Sequence, residues 1–260
     1  MNIVAIDIGN TNITIGLFLN DKEESINSLP GKSREKLTDC LRTAWDKIPI
    51  AKSSKEKKRD GVIVVSSVKP QWTKLMQQIV KDALDEKIYL LGKDVPLPMT
   101  LWVDEPDRVG TDRIAAAAAA YAVVEDAVAV ADFGTAVTID LVDEHGTFQG
   151  GVIFPGIEIS ADALKKNTAQ LPKVKIKKPE EPYGKTTADA INAGLYYSAV
   201  ATLQEVIRRY AEKIGKWPHT VLTGSAAQLI KDDCEFIDSY VPNLVVKGIV
   251  LAYQKYINEK

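Results

Sequence analysis

Two segments half a chain apart put a carboxylate, a glycine and a threonine where a strand should end. They are Asp7-Ile8-Gly9-Asn10-Thr11, after the apolar run Ile3 to Ile6, and Asp132-Phe133-Gly134-Thr135, after Ala127 to Ala131. A glycine lets backbone amides come close to an anion, the hydroxyl adds a donor, and the aspartate offers a hard oxygen to a cation. Singly, such an aspartate can simply cap a turn. Two copies suit a nucleotide triphosphate and its cation, and point to phosphoryl chemistry.

The elements that must position these turns repeat with them. Ile3 to Ile6, Ile13 to Leu19 and Glu23 to Ser28 read as three strands joined by Gly, Asn and Asp turns. Ser33 is the expected N-cap of a helix carrying Leu37, Cys40, Leu41, Ala44, Trp45 and Ile48, which Pro49 stops. A strand at Val62 to Ser66, a helix from Pro70 to Leu84 and a strand at Ile88 to Leu91 follow. Past the prolines at 96, 98 and 106, a helix is expected from Thr111 to Val124. Strands at Val128 to Ala131, Ala136 to Val142 and Thr147 to Ile153 then repeat the meander. A helix from Pro155-Gly156 to Lys166, a long helix from Thr187 to Ile214, a strand at Thr220 to Leu222, a short helix after Gly224, a strand near Phe236 and a helix from Asn243 complete the pattern. Two β-β-β-α-β-α units resemble the α/β, duplicated ribonuclease H-like layout of the actin, sugar kinase and heat-shock chaperone superfamily. That layout implies domains at 1–108 and 109–260, the last helix able to pack back across the boundary, and ATP in an interdomain cleft.

Bulk properties narrow the classes. The chain has 260 residues, is 45% hydrophobic and 26% charged, and carries a formal charge of -2, which gives no expectation of nucleic-acid binding. No apolar stretch approaches the roughly 18 to 20 residues of a membrane span, and the N-terminus runs straight into a strand pattern without a basic leader. Cys40 and Cys234 form no zinc spacing with His145 and His219. The expectation is a cytoplasmic protein that binds neither nucleic acid nor membrane.

An ordered set of motifs resembles the type III pantothenate kinases. Asp7 to Asn12 is similar to the family's first phosphate motif, Gly110-Thr111-Asp112-Arg113 to its G-x-D-R substrate motif, and Asp132 to Ala136 to its second phosphate motif. Ser66-Ser67-Val68, Gly150-Gly151, Pro155-Gly156, Leu171-Pro172, Gly184-Lys185-Thr186-Thr187, Thr223-Gly224 and Lys247-Gly248 follow the family's order. The resemblance implies ATP-dependent phosphorylation of the 4'-hydroxyl of pantothenate, the first step of coenzyme A biosynthesis, by a homodimer. It implies that Asp7 organises Mg²⁺ through waters, and that Ile8, Gly9, Asn10, Thr11, Asn12, Ile13 and Thr14 line the triphosphate with Thr135 and Gly224. Asp132 is implied as the ligand of a monovalent cation, K⁺ or NH₄⁺. Asp112 is implied as the proton acceptor, with Gly110, Thr111 and Arg113 framing pantothenate and Thr187 reaching it near the dimer interface. A non-catalytic accessory member of the family, or a same-fold kinase for another small hydroxyl substrate, are the alternatives.

The chain departs from the family pattern in places. A tyrosine ahead of an Asp-Asn-Pro-like step is replaced within Trp102-Val103-Asp104-Glu105-Pro106, a second glycine is Ser225, and an Asn-Thr pair is Thr186-Thr187. Other residues have plain structural readings. Gly184-Lys185-Thr186 lacks the earlier glycine of a Walker A loop, where Pro179 stands. Ala115 to Ala120 suits a closely packed helix. The basic stretches Lys52 to Arg59 and Lys165 to Lys178 lack interleaved aromatics and read as solvated loops. Arg113 either touches substrate or pairs with an acid. The stripe Leu195, Tyr196, Val200, Leu203, Val206, Ile207 and Tyr210 is either core or a dimer face.

Overall fold

The computed structural model describes residues 1–52 and 58–259; residues 53–57, within the basic stretch Lys52 to Arg59 expected as a solvated loop, lie outside them. The chain divides into two compact units. One comprises Met1–Thr100, Glu105–Ala119 and Asn243–Lys260, the other Leu101–Asp104 and Ala120–Pro242.

In the first unit, β1 (Ile3–Ile8), β2 (Asn12–Leu19) and β3 (Lys22–Pro30) form an antiparallel meander. β4 (Val62–Ser67) and β5 (Ile88–Leu90) extend it in parallel, giving the order β3-β2-β1-β4-β5. Helices α1 (Arg34–Asp46) and α2 (Pro70–Leu84) cover one face, where Val4, Ile6 and Ile8 join Leu37, Leu41, Trp45, Met76, Ile79 and Val80 in one core. Ile3 and Ala5, on the opposite face of β1, are equally buried, so the strand reads as a continuous apolar run. The start of α3 (Thr111–Val124) and α7 (Leu244–Asn258) belong to this unit, and Gly248 brings α7 against the backbone of Ala115. The alanine run is buried, and its small side chains permit this approach. Gln254 donating to Asp21, Lys247 paired with Glu23, and Lys255 donating to the Pro98 carbonyl tie α7 down along its length.

The second unit repeats the plan. β6 (Val128–Phe133), β7 (Ala136–Val142) and β8 (Phe148–Pro155) form the meander, with β9 (His219–Thr223) and β10 (Ser239–Tyr240) parallel to it, in the order β10-β9-β6-β7-β8. Both meanders shift register at one place, between Leu17 and Phe18 and between Leu141 and Val142. Helix α5 (Thr187–Ile214) buries Tyr196, Ala199, Leu203 and Ile207 against Ala129, Ala131 and Phe133; α4 (Ile157–Asn167) and the short α6 (Ala227–Ile230) complete the unit. This is the duplicated ribonuclease H-like, actin-like architecture.

Local differences from the sequence expectation have physical causes. The apolar residues Phe236 and Ile237 pack on the core from a turn, and the chain joins the sheet only after Asp238 N–H donates to the Thr220 carbonyl. Ser33 starts α1 through its carbonyl, which accepts from Leu37, and its hydroxyl makes no capping bond. Thr186 caps α5 with its side chain, accepting from the Asp189 amide at 3.1 Å, so the Gly-Lys-Thr segment is a helix entry. The division between units falls inside α3, after Ala119, and not at residue 108. Leu101–Asp104 joins the second unit because Leu101 bridges to Phe148 and Trp102 N–H donates to the Phe148 carbonyl.

Candidate active site

Strand pairing sets the first constellation. In β1, Asp7 lies opposite Thr14 of β2 on one side and Ser66 of β4 on the other. Paired residues share a sheet face, so a carboxylate sits between two hydroxyls in one row. Ser66 is fully buried, and its hydroxyl is 2.8 Å from the Thr111 hydroxyl at the first turn of α3. Asp112 follows directly. Thr14, Asp7, Ser66 and Thr111 thus lie in one row inside the first unit, with Asp112 the next residue along α3.

The turn at the head of this line is built on backbone. Ile8 pairs with Ile13, and both are fully buried and serve the core. Gly9 N–H donates to the Asn12 carbonyl at 3.1 Å, Gly31 N–H to the Thr11 carbonyl at 3.2 Å, and Val68 N–H to the Ile8 carbonyl at 3.2 Å. Asn10, Thr11 and Asn12 are exposed at the rim. Thr14 donates to the Ser28 hydroxyl at 3.2 Å.

Asp112 is half-buried and lies against Gly110, where an added Cβ would come within 2.3 Å of its Oδ1. Burial pushes its carboxyl above the ordinary aspartate range, against the Arg113 amide donating to Oδ1 at 2.8 Å and the Arg113 charge, which act the other way. The result is an aspartate held in one orientation with raised basicity. Arg113 interacts electrostatically with the acid beside it.

The second turn repeats the first with one residue fewer. Asp132 lies between Thr138 of β7 and Thr223 of β9, as Asp7 does between Thr14 and Ser66. Gly134 N–H donates to the Ala136 carbonyl, Gly156 N–H to the Thr135 carbonyl, and Ala226 N–H to the Phe133 carbonyl, matching the bonds of Gly9, Gly31 and Val68. Thr135 is exposed at the turn, and Thr187 is exposed at the start of α5. One feature is particular to this copy. Gly224 has φ +99°, and its backbone crosses the Asp132 carboxylate so closely that a Cβ would lie 2.4 Å from Oδ1 and 2.5 Å from the Phe133 nitrogen. Gly224→Ala is therefore expected to lower stability by about 2 kcal/mol, through strain at positive φ and overlap with fixed atoms. Denaturant unfolding checks this; an unchanged midpoint would refute the close approach.

Within the first unit, then, the structure brings together Asp7, Thr14, Gly110, Thr111, Asp112 and Arg113; within the second it brings together Asp132, Thr135 and Gly224. Ser66 and Thr223 were present in the motifs but had no assigned part, because their place beside the aspartates depends on strand register. Lys69 carried no signal at all. Its ammonium donates to the Asn10 carbonyl at 3.0 Å and lies 3.3 Å from the centre of the Trp72 ring.

The site residues also lie in a chain with clear relatives. A model of type III pantothenate kinase matches residues 3–209. A type III pantothenate kinase from Agathobacter rectalis is 34% identical over 259 residues, covering 97% of each chain, and one from Endomicrobium trichonymphae is 33% identical, covering 98% of this chain and 99% of the other. The chain belongs to the type III pantothenate kinase family. Among solved structures, a Baf family protein from Campylobacter jejuni superposes with a TM-score of 0.62 at 18% identity, covering 98% of this chain and 99% of that one. Ethanolamine utilization protein EutJ from Carboxydothermus hydrogenoformans superposes with a TM-score of 0.53 at 14% identity, covering 97% and 89%. These two likenesses concern the fold.

Proposed function

We propose that the protein transfers the terminal phosphoryl group of ATP to the primary 4'-hydroxyl of pantothenate. The observation that carries this reading is that the Asp7 strand, through Ser66 paired beside Asp7, hydrogen-bonds to Thr111, the residue directly before Asp112. Phosphoryl transfer asks mainly for alignment of the acceptor and stabilisation of charge. The acceptor oxygen bonds to the γ-phosphorus, the bond to the ADP oxygen breaks, and the hydroxyl proton passes to the Asp112 carboxylate. Raised basicity suits Asp112 to that proton. Gly110 gives the carboxylate its room, Arg113 supplies positive charge beside it, and the backbone at 9–12 with Thr11 and Thr14 is assigned to phosphate, as Thr135 is at the second turn.

The donor sets fit the expected cations. Asp7 is assigned to a divalent ion that arrives on the nucleotide and is met through water. Such an ion neutralises charge on the triphosphate. Asp132, with Thr223 paired beside it in β9, is assigned to K⁺ or NH₄⁺ through its hard carboxylate oxygens. Thr187 is assigned to pantothenate, and the exposed side of α5 around Gly194, Tyr197 and Ser198 to the homodimer contact. Among the described residues no helix is long and apolar enough to cross a membrane; a cytoplasmic setting is part of the proposal.

Retention of Asp7, Asp112 and Asp132 favours a catalytic member of the family over an accessory one. Incubation with ATP, Mg²⁺ and pantothenate is expected to give phosphopantothenate, detected by mass, in K⁺ or NH₄⁺ and far less in Na⁺. No product with any cation would overturn the kinase reading, and equal rates in K⁺ and Na⁺ would remove the cation role of Asp132. Phosphorylation of another small alcohol instead would point to the pocket change at Val103.

A further inference from the structure

We infer that Lys69 is an additional triphosphate-positioning residue of the first phosphate turn. The inference rests on the ATP reading above and on how this side chain is held. Lys69 is the residue before α2, 59 positions from the turn it meets, and it is half-buried. Nζ donates to the Asn10 carbonyl at 3.0 Å and rests 3.3 Å above the Trp72 ring. An ammonium has three N–H donors, and the carbonyl uses one. Neither a carbonyl nor an aromatic face neutralises its charge, and among the described residues Lys69 has no carboxylate partner. A full positive charge therefore stands at the rim of a turn whose shape suits an anion.

The surroundings make that position a built one. The Trp72 ring lies flat against Gly31, where any Cβ would come within 2.0 Å of it, and Gly31 N–H donates to the Thr11 carbonyl. The carbonyls of Asn10 and Thr11 are thus drawn away, one by Lys69 and the other by the Gly31 strand end that Trp72 backs. Carbonyl oxygens repel phosphate, so occupying both lowers the negative potential at the turn. Lys69 acts twice, by screening the Asn10 carbonyl and by adding its own charge. A lysine fixed by a carbonyl and a ring also loses less rotamer freedom when a phosphate arrives than one waving in solvent. Ser67 supports the geometry, its hydroxyl accepting from the Lys69 amide at 3.2 Å and lying 2.7 Å from the Thr73 hydroxyl.

Titration calorimetry with ATP, ADP and adenosine tests the inference on Lys69→Gln and Lys69→Arg. Gln can still donate to the Asn10 carbonyl and lie on Trp72, so it keeps the brace and loses the charge. Lys69→Gln is expected to weaken ATP binding about tenfold to a hundredfold, the usual scale for losing a charge-assisted hydrogen bond, with adenosine affinity unchanged. Lys69→Arg should recover most of the loss, and the salt dependence of ATP affinity should be shallower in Lys69→Gln than in the wild type. ATP affinity of Lys69→Gln equal to wild type, or an equal loss for adenosine, would overturn the role. A wild-type protein that binds no ATP would instead overturn the kinase reading from which the role follows.

Discussion

Asp112→Asn is expected to lower kcat by about 10² to 10⁴, the range seen when a general base is removed. The substitution keeps the shape of the side chain and an acceptor for the Arg113 amide, so what disappears is basicity. Stability should move the other way. Burial raises the Asp112 carboxyl in the folded state, so folding disfavours the ionised form. Below the unfolded pKa both states are protonated and the group contributes nothing. As pH rises from the unfolded to the folded value, the unfolded chain releases a proton that the folded chain keeps, and stability falls; above the folded value the penalty stays in full. Near neutrality Asn is free of that penalty, and Tm is expected to rise. The same shift predicts that wild-type kcat falls on the acid side through a pKa above the ordinary aspartate value, with the limb absent from the residual rate of the variant. Near-normal turnover by Asp112→Asn would remove this residue from the chemistry, and a lowered Tm with lost activity would mark it as structural.

Gly248→Ala should produce the largest loss of stability. Its Cβ would stand 1.9 Å from the Ala115 carbonyl oxygen and 2.3 Å from the carbonyl carbon, atoms of the α3 backbone that no rotamer change can move. Helices α3 and α7 must separate, and the buried row around Val246, Ile249 and Val250 must shift with α7. The cost is expected to be about 3 kcal/mol, at the high end for overpacking a core, even though alanine is the better helix former. Because α3 carries Thr111 and Asp112, kcat should fall along with the denaturant midpoint. A variant as stable as the wild type would show that the helices are not in close contact at this point.

The two predictions differ in how far the sequence alone could reach. Asp7 and Asp132 were legible as turn residues because a tight glycine turn at a strand end needs a short, local set of residue types, and the chain carries that set twice. The meanders, the long α5 and the alanine-rich α3 were legible for the same reason: periodicity and turn residues act over a few positions. Asp112 could be named only through its motif, since nothing local distinguishes it from any acid in the first turn of a helix.

What tertiary structure decided was adjacency. The parallel register of β1 with β4 sets Ser66 beside Asp7, and that of β6 with β9 sets Thr223 beside Asp132; a one-residue slip would turn each hydroxyl to the other face. Gly248 reads as an unremarkable helical glycine until Ala115 is against it, and Lys69 reads as one lysine among many until its ammonium reaches Asn10 across 59 residues. The sequence by itself determined the duplicated plan and its two Asp-x-Gly turns, because those depend on local spacing. The fold decided which hydroxyls, glycines and cations stand around them, because long-range contacts leave no periodic trace in the chain.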